Sequence, residues 1–453
     1  MNWLQLLSYQ RPGAKTTKDI SPDQLRSEFE KDFDRIIFSH PFRKLQDKTQ
    51  VIPLPKQDFV HTRLTHSLEV SSVGRSLGKK VGEVILQRHP KLAGHHLSQF
   101  DFGAIVAAAC LAHDLGNPPF GHSGEAAISD FFVNHPGGLF FKDKVGPAQW
   151  ADLSNFEGNA QGFRILNHAH FQGLKLTYAT LATFTKYPRE SLLANIDPNR
   201  KSQKKYGFFQ TEKEKFTGVA DNVGLIRLGK EKELKWCRHP LTFLVEAADD
   251  ICYHIIDLED GCRLGWVDFA TAKELLAGII GSRYDPSKLK KIASENEKIG
   301  VLRAIAIDQL IRQSAQVFLD SESSIIDGSF DSALIESIPA RQSLYQIIKL
   351  SIRNIYRSKT VIETEAIGFQ VLNGLLEEIT SSLYYYIFER AKCTKKQENL
   401  ARSLPREIQD KLNDERGIYG ILRNGLDFVS GMTDSNCLQQ YRRIKGIALP
   451  GMG

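Results

Sequence analysis

Apolar residues recur at spacings of three and four along most of this chain, which is the pattern of helices that bury one face. Alternation typical of a β-strand is confined to short pieces such as residues 50–54. Two polar stretches, near residues 186–206 and 282–288, interrupt the helical pattern and predict loops. We therefore expect an all-α fold with at most one small β-hairpin.

The composition is that of an ordinary globular protein. The chain has 453 residues, of which 42% are hydrophobic and 25% charged, and this excludes a disordered, collagen-like or coiled-coil chain. The length allows about three domains of roughly 150 residues, or one large helical body with appendages. We expect a core over residues 1–275, with a helical region over residues 276–453 packed on it as part of the same body.

Charge and cysteine content restrict the partners. The net charge of +6 is compatible with a polyanionic substrate but is small for a dedicated nucleic-acid binder. The N-terminal residues do not form a signal peptide, and no stretch is apolar enough to span a membrane, so we expect a cytoplasmic protein. The six cysteines form no CxxC pair, so a bound metal would be held by His, Asp and Glu.

Two predicted helices place polar residues where a core is expected. His66 shares a helix face with apolar residues at Val70, Val73, Leu77 and Val81. His113 and Asp114 follow the small-residue run 104–112, and Gly116 marks the end of this predicted helix. Both histidines are thus expected at buried positions, where a hydrogen-bonded core histidine is the plainer interpretation of His66 taken alone.

A third predicted helix carries carboxylates on an enclosed face. Asp249, Tyr253 and Asp257 repeat every four residues, and no Lys or Arg occurs between residues 240 and 262. A buried carboxylate costs several kcal/mol unless a positive charge pairs with it, so these residues need a partner from elsewhere in the chain. A divalent cation is the simplest candidate. Asp250 is the alternative ligand, but only Asp249 keeps Tyr253 and Asp257 on its own face.

Together these helices supply a mixed nitrogen and oxygen ligand set. Its members are His66, His113, Asp114 and Asp249. Such a set suits one divalent ion of Mg, Mn, Fe, Co or Zn, and it leaves coordination positions open for water and substrate. A metal held there would lower the pKa of a bound water and polarise a phosphoryl oxygen.

Several ordered strings extend this pattern to a known family. The strings are His-Thr-Arg-Leu-Thr-His-Ser at 61–67, Leu-Ala-His-Asp-Leu-Gly-Asn-Pro-Pro-Phe-Gly-His-Ser-Gly-Glu-Ala at 111–126, and Glu-Ala-Ala-Asp-Asp-Ile-Cys-Tyr-His-Ile-Ile-Asp-Leu-Glu-Asp at 246–260. Further strings lie at 34–39, 42–50, 155–161 and 431–434. The chain thereby resembles the deoxyguanosine-triphosphate triphosphohydrolase (dGTPase) branch of the HD superfamily, over nearly its whole length.

The resemblance implies a fold and a reaction. The fold would be an HD-type helical core with additional helices, and the metal ligands would be His66, His113, Asp114 and Asp249. The substrate would be a deoxynucleoside triphosphate, with dGTP preferred. Cleavage between the sugar 5′ oxygen and the α-phosphorus would release the nucleoside and an intact triphosphate.

The segment after the second helix offers an acid–base pair. Glu125 lies one helical turn beyond His122 and can orient its ring, which suits proton delivery to the departing 5′ oxygen. Taken separately, His122 would be an ordinary loop histidine and Glu125 a favourable charge in the first turn of a helix.

The resemblance also assigns substrate contacts. Arg63 would contact phosphate, Gln46 and Asp257 would bind the 3′-hydroxyl, and Tyr253 would pack against C2′ and exclude a ribose. Lys205 and Arg442, from the basic strings at 204–209 and 442–443, are candidates for further phosphate contacts. The plainer interpretations are solvated or capping residues for Gln46 and Arg63, a buried aromatic for Tyr253, and solvated loops for the basic strings.

Two other functions remain open from the residues alone. The HD centre would also serve another nucleotide phosphohydrolase, and the basic strings would also suit a nucleotide or single-stranded DNA sensor. The resemblance further implies a homo-oligomer, with a hexamer among the options, and admits a nucleotide effector or single-stranded DNA as an additional ligand. Since ligation requires ionised carboxylates and neutral histidines, metal binding should weaken in acid.

Overall fold

Helices account for nearly all regular structure in the protein. The computed structural model describes residues 1–14, 25–50, 61–168, 173–230, 233–356, 359–406, 408–410 and 417–447. Within these ranges β-structure is limited to isolated bridges, among them one between Thr49 and Thr62. The prediction of an all-α fold is confirmed. Residues 51–54 of the strand-like segment lie outside the described ranges.

The longer helices are labelled in chain order. The first eight are α1 (Glu28–Ile37), α2 (Arg63–Arg88), α3 (Gln99–Ala112), α4 (Gly121–Asn134), α5 (Pro147–Ser154), α6 (Gly158–His168), α7 (Tyr178–Phe184) and α8 (Lys213–Val223). The next eight are α9 (Thr242–Arg263), α10 (Phe269–Ile280), α11 (Glu295–Asp320), α12 (Arg341–Ser351), α13 (Lys359–Ile387), α14 (Lys395–Ser403), α15 (Ile418–Ser430) and α16 (Asp434–Ile444). Short helical turns, including Leu45–Asp47, connect them.

The centre of the fold is the packing of α2 against α3, with α9 across both. Helix α2 begins at Thr62, which forms a capping box with Thr65 and satisfies the first free backbone N–H groups. The two helices approach closely because α2 carries glycines on the contact face. A Cβ at Gly78 would lie 2.7 Å from the carbonyl oxygen of Phe102, so only glycine allows this separation.

Buried apolar side chains form two clusters. The larger surrounds α2, α3, α9 and α11, and the smaller lies between α4 and α5 on one side and α13 and α15 on the other. Residues from before and after position 275 contribute to both clusters. Neither cluster is confined to one side of position 275, and the predicted division into a core over 1–275 and a region over 276–453 packed on it stays a prediction.

Among the helices of the described ranges, none combines the length and the hydropathy that crossing a membrane needs.

Candidate metal centre and active site

Three side chains that are far apart in sequence converge where α2, α3 and α9 meet. His66 lies on α2, His113 caps the C-terminus of α3, and Asp249 lies on α9. Asp249 Oδ1 is 3.2 Å from His66 Nε2 and 3.6 Å from His113 Nε2. One ligand atom from each residue lies within 4.8 Å of the other two, which fits a single cation at their centre.

Asp114 joins this group from its edge. Its Oδ1 is 3.6 Å from His113 Nε2, but it is not part of the tight set of three. Asn117 Nδ2 donates to Oδ1 over 2.5 Å, and Arg63 Nη1 donates to Oδ2 over 2.7 Å. Both oxygens are therefore oriented by neighbours, as is usual for a carboxylate that ligates a metal.

The ring of His113 is held in the tautomer that ligation needs. Its Nδ1 lies 2.6 Å from the carbonyl oxygen of Cys110, which can only accept a hydrogen bond. Nδ1 therefore carries a proton, and Nε2, which faces Asp249, is the nitrogen left for a metal ion. The hydrogen bond follows from helix geometry, since Cys110 lies one turn before His113 on α3.

Both carboxyl groups are held in the ionised form. Burial alone would raise the pKa of Asp249, but the imidazoles of His113 and His66 outweigh it and hold that pKa well below its usual range. Burial likewise opposes ionisation of Asp114, and the Arg63 guanidinium with the two imidazoles lowers its pKa to about 2. The chemistry of the donor set thus fits a divalent cation. Asp250 differs, because burial raises its pKa to about 7.

The acid–base pair lies at the start of α4. His122 Nδ1 is 2.9 Å from Glu125 Oε2, and the backbone N–H of Gly158 donates to Glu125 Oε1 over 2.6 Å. Glu125 is buried, whereas the side chain of His122 is 78% exposed. Because Nδ1 faces the carboxylate, Nε2 is the ring nitrogen of His122 that stays available for another contact. Burial opposes ionisation of Glu125, but His122 and Lys205 outweigh it and lower its pKa.

A cavity of about 350 Å³ brings these groups together. Eight of the predicted site residues line it, namely Arg63, His113, Asp114, His122, Glu125, Lys205, Asp249 and Tyr253. His66 is buried beside them in contact with Asp249. Among the described residues that were predicted as substrate contacts, Gln46, Asp257 and Arg442 do not line the cavity.

Gln46, which was predicted to contact the substrate, does not line the cavity, whereas Gln50, four residues later, does. Gln46 is exposed on the turn Leu45–Asp47, so the structure does not bring it to the cavity. Gln50 lines the cavity instead, and its Oε1 is buried without a hydrogen-bond partner among the described residues. The reason is that the chain becomes extended at Lys48, which has φ −121° and ψ 130°, and this carries Gln50 inward.

Two tyrosines that are far apart in sequence stack on each other beside the candidate metal centre. The rings of Tyr253 and Tyr356 stack at a centroid distance of 5.5 Å, and the Tyr356 hydroxyl donates to Asp257 Oδ2 over 2.7 Å. Tyr356 follows α12, and the sequence offered no string that marked it. Burial raises the pKa of Asp257 to about 8, despite the hydrogen bond from Tyr356.

The cations around the cavity are partly those expected. Lys205 Nζ lies 3.0 Å from Glu157 Oε1 and 3.8 Å from Glu125 Oε2, so it joins the acid–base pair. Lys186 also lines the cavity, and its Nζ is 3.3 Å from Glu246 Oε1. It lies in the stretch near 186–206 that was predicted only as a loop. Arg442 is exposed on α16, outside the cavity.

One further cavity residue was not anticipated. His254 follows Tyr253 on α9, and burial lowers its pKa to about 4, so it is neutral near pH 7. Its Nδ1 has no hydrogen-bond partner among the described residues. The sequence could not mark it, because the four-residue spacing that identified Asp249 and Tyr253 does not include position 254.

Comparison with known proteins places the chain in a family. The HD domain family matches residues 63–144, which contain His66, His113, Asp114, His122 and Glu125. A deoxyguanosinetriphosphate triphosphohydrolase-like protein of Synechocystis sp. is 43% identical, and one of Pseudomonas aeruginosa is 37% identical; each comparison covers 99% of this chain and 100% of the relative. A deoxyguanosinetriphosphate triphosphohydrolase of Serratia proteamaculans is 30% identical over 98% of this chain and 99% of its own length. The chain therefore belongs to the deoxyguanosinetriphosphate triphosphohydrolase family of HD-domain hydrolases.

Proposed function

We propose that this protein is a metal-dependent hydrolase that converts deoxynucleoside triphosphates, dGTP above the others, into the deoxynucleoside and inorganic triphosphate. The observation that carries this proposal is the convergence of His66, His113 and Asp249 at the edge of the cavity that the His122–Glu125 pair also lines. The names of the relatives agree with it, since they describe action on deoxyguanosine triphosphate.

The proposed metal ligands are His66, His113, Asp249 and Asp114. A divalent cation bound there supplies a Lewis acid that activates water and polarises an α-phosphoryl oxygen. Asp114 would complete the set from its edge, with Arg63 and Asn117 fixing the direction of its two oxygens. The ion is one of Mg, Mn, Fe, Co or Zn, all of which accept such a mixed set.

His122 would act as the general acid. Water adds to the α-phosphorus through its oxygen, and the bond between that phosphorus and the 5′ oxygen breaks. The departing 5′ oxygen takes the electron pair of that bond and a proton from His122 Nε2, while the attacking water loses a proton to solvent. Glu125 holds the imidazole through Nδ1 and so fixes the direction in which Nε2 points.

Positive side chains around the cavity would bind the triphosphate. Lys205 and Lys186 line it beside Arg63, whose Nε is buried without a hydrogen-bond partner among the described residues. A guanidinium fixed by Asp114 through one nitrogen keeps its other donors for phosphate oxygens. Arg442 would contribute only if its exposed helix approached the phosphates of another subunit.

Selection of deoxyribose would depend on the stacked tyrosines. The Tyr253 ring, supported by Tyr356, would occupy the space that a 2′-hydroxyl needs. Gln50 would take the role predicted for Gln46, because its Oε1 has no hydrogen-bond partner among the described residues and can accept a hydrogen bond from the 3′-hydroxyl. Asp257 remains a proposed 3′-hydroxyl partner through Oδ1, since Oδ2 is occupied by Tyr356.

Product analysis tests the proposal. The purified protein is incubated with each of the four dNTPs, with and without Mg²⁺ or Mn²⁺, and the products are separated by anion exchange. We expect nucleoside and tripolyphosphate, only when metal is present, and fastest from dGTP. Pyrophosphate with a monophosphate would reject the assigned bond, and turnover of only monophosphates or cyclic dinucleotides would favour another HD-type phosphohydrolase. Binding of dNTPs or single-stranded DNA without turnover would favour a sensor.

A further inference from the structure

The string Gly431–Asp434 is one part of the family pattern to which the proposed reaction assigns no role. Asp434 begins α16 and is only 1% exposed. Its Oδ2 accepts hydrogen bonds from the backbone N–H of Thr49, over 3.0 Å, and from the Thr49 hydroxyl. Its Oδ1 accepts the backbone N–H of Phe120 over 3.0 Å. One carboxylate therefore joins three segments that are distant in sequence.

Asp434 contacts the backbone of Phe120, a strained residue just before α4, which is the helix that carries His122. Phe120 has φ 65° and Gly121 has φ 60°, so two left-handed residues in succession turn the chain into α4. A non-glycine residue in this conformation is strained and persists only when its surroundings fix it. Gly121 has no such strain, and a Cβ there would lie 2.6 Å from the Arg63 guanidinium. The direction in which His122 leaves this turn therefore depends on what holds Phe120.

The buried side chain of Lys48 contacts the same turn between α3 and α4, on the part of it that carries Asp114 and Asn117. It is 4% exposed, and its Nζ donates to the carbonyl oxygens of Asn117 and of Ser430, the latter over 3.0 Å. Asn117 in turn donates to Asp114, and the carbonyl oxygen of Lys48 accepts the backbone N–H of Arg63 over 3.2 Å. The dipeptide Lys48–Thr49 thus contacts the start of α2, the turn after α3 and the end of α15.

We propose that Asp434, acting with Lys48 and Thr49, is a positioning residue for the hydrolytic reaction. It fixes the turn 114–121, so that Asp114 and His122 face one cavity at the same time. None of the three would touch the substrate, since neither Asp434 nor the Lys48–Thr49 dipeptide lines that cavity. This inference rests on the proposed function, and it gives the C-terminal region a part in catalysis beyond completing the core.

The direct test is Asp434→Asn, which keeps the size of the side chain. All three groups that contact the carboxylate are donors, so the amide NH₂ must face a donor whichever way it is turned. We expect kcat to fall about 10–100-fold, as for other residues that orient catalytic ligands, with KM changed less than about threefold. Lys48→Met should weaken the affinity for Mn²⁺, measured by calorimetry without substrate, by about tenfold or more.

Asp32→Asn is the matched control. Asp32 is also fully buried and accepts the backbone N–H and hydroxyl of one threonine, Thr177, over 2.9 and 2.6 Å. It lies on α1, does not line the cavity, and its second oxygen also accepts from donors only, through Arg11 Nη1. If Asp434 were merely structural, both variants would lose thermal stability and keep the same kcat below their melting temperatures. A kcat for Asp434→Asn within about threefold of that of Asp32→Asn would overturn the proposal.

Two further experiments test the proposal if Asp434→Asn does not fold or if the wild-type protein hydrolyses no dNTP. If Asp434→Asn does not fold, Thr49→Val removes one of the three hydrogen bonds and Thr49→Ser retains it; we expect a lower kcat for valine that serine restores, and equal values would overturn the proposal. If the wild-type protein hydrolyses no dNTP, the Mn²⁺ titration still decides. A weaker affinity in Lys48→Met but not in Asp32→Asn supports positioning even though the proposed reaction has failed, and unchanged affinity overturns it.

Discussion

Asp249 and Asp250 are neighbours on α9 with opposite electrostatic surroundings. Asp249 is ionised among imidazoles, whereas burial raises the pKa of Asp250 to about 7. We predict that Asp249→Asn loses measurable Mn²⁺ binding and at least about 10³-fold in kcat, because several kcal/mol of charge stabilisation disappear. Asp250→Asn should keep Mn²⁺ binding. Calorimetric titration of both variants checks this, and tight Mn²⁺ binding by Asp249→Asn would contradict the assigned ligand set.

His122 should affect the chemical step and leave the metal in place. Its side chain is exposed and touches Glu125, not the proposed ligands. We predict that His122→Asn lowers kcat about 10²–10⁴-fold, the usual contribution of a general acid, with Mn²⁺ affinity unchanged. Steady-state kinetics and metal titration on the same preparation separate the two effects. A variant with wild-type kcat would remove His122 from the mechanism.

The sequence predicted which residues share one helix face, but it did not predict which glutamine lines the cavity. The spacing of Asp249 and Tyr253 could be read from one helix, because residues four apart share a face whatever the rest of the chain does. The choice between Gln46 and Gln50 depended on where a helical turn gives way to extended chain at Lys48. Tertiary contacts made by Lys48 and Thr49 determine that change, and no local pattern records them.

The packing of α2 on α3 depends on how near the two backbones can come. A Cβ at Gly78 would meet the carbonyl oxygen and carbonyl carbon of Phe102 at 2.7 and 3.0 Å, and neither atom can move without the helix. We predict that Gly78→Ala destabilises the protein by about 1–3 kcal/mol through overpacking. Gly218→Ala, in α8 where a Cβ meets nothing within 4 Å, should instead stabilise it by about 0.5–1 kcal/mol. Thermal unfolding of both variants tests the contrast, and equal shifts would contradict it.

His61 connects the segment before α2 to α9. Its Nδ1 lies 2.7 Å from Asp260 Oδ2 and its Nε2 lies 3.2 Å from Glu69 Oε1, so both ring nitrogens face carboxylates. Burial alone would lower the pKa of His61, but these hydrogen bonds outweigh it and raise that pKa to about 10. The protonated ring therefore stabilises the join between the two helices that carry His66 and Asp249.

This join should depend on pH in a defined direction. Because the folded pKa is raised above the unfolded value of about 6.5, the stabilisation is complete below pH about 6.5 and is lost as the pH rises to about 10. We predict that His61→Gln costs about 1.5–3 kcal/mol at pH 6, with partial exposure keeping the value modest, and almost nothing at pH 10. Denaturant unfolding of both proteins across this range measures the difference. A cost that grows with pH would contradict the charged histidine.

In the molecule as a whole, the helical content could be predicted from the sequence more readily than the assembly of the cavity. The periodicity of single helices predicted an all-α fold, and the ordered strings predicted which helices carry polar groups inward. Tyr356 and Asp434, however, reach the site from the region after residue 275, which sequence analysis treated as packing. Contacts across such distances in the chain leave no spacing that a single sequence can reveal.

One cavity, built by α2, α3, α4 and α9, would direct water to an α-phosphorus. The most direct measurement is hydrolysis of dGTP with Mn²⁺ in water enriched in ¹⁸O, followed by mass spectrometry of both products. We predict that the label enters tripolyphosphate and that deoxyguanosine carries none, with no release in Asp249→Asn. Label in the nucleoside, or pyrophosphate and dGMP as the products, would contradict the account.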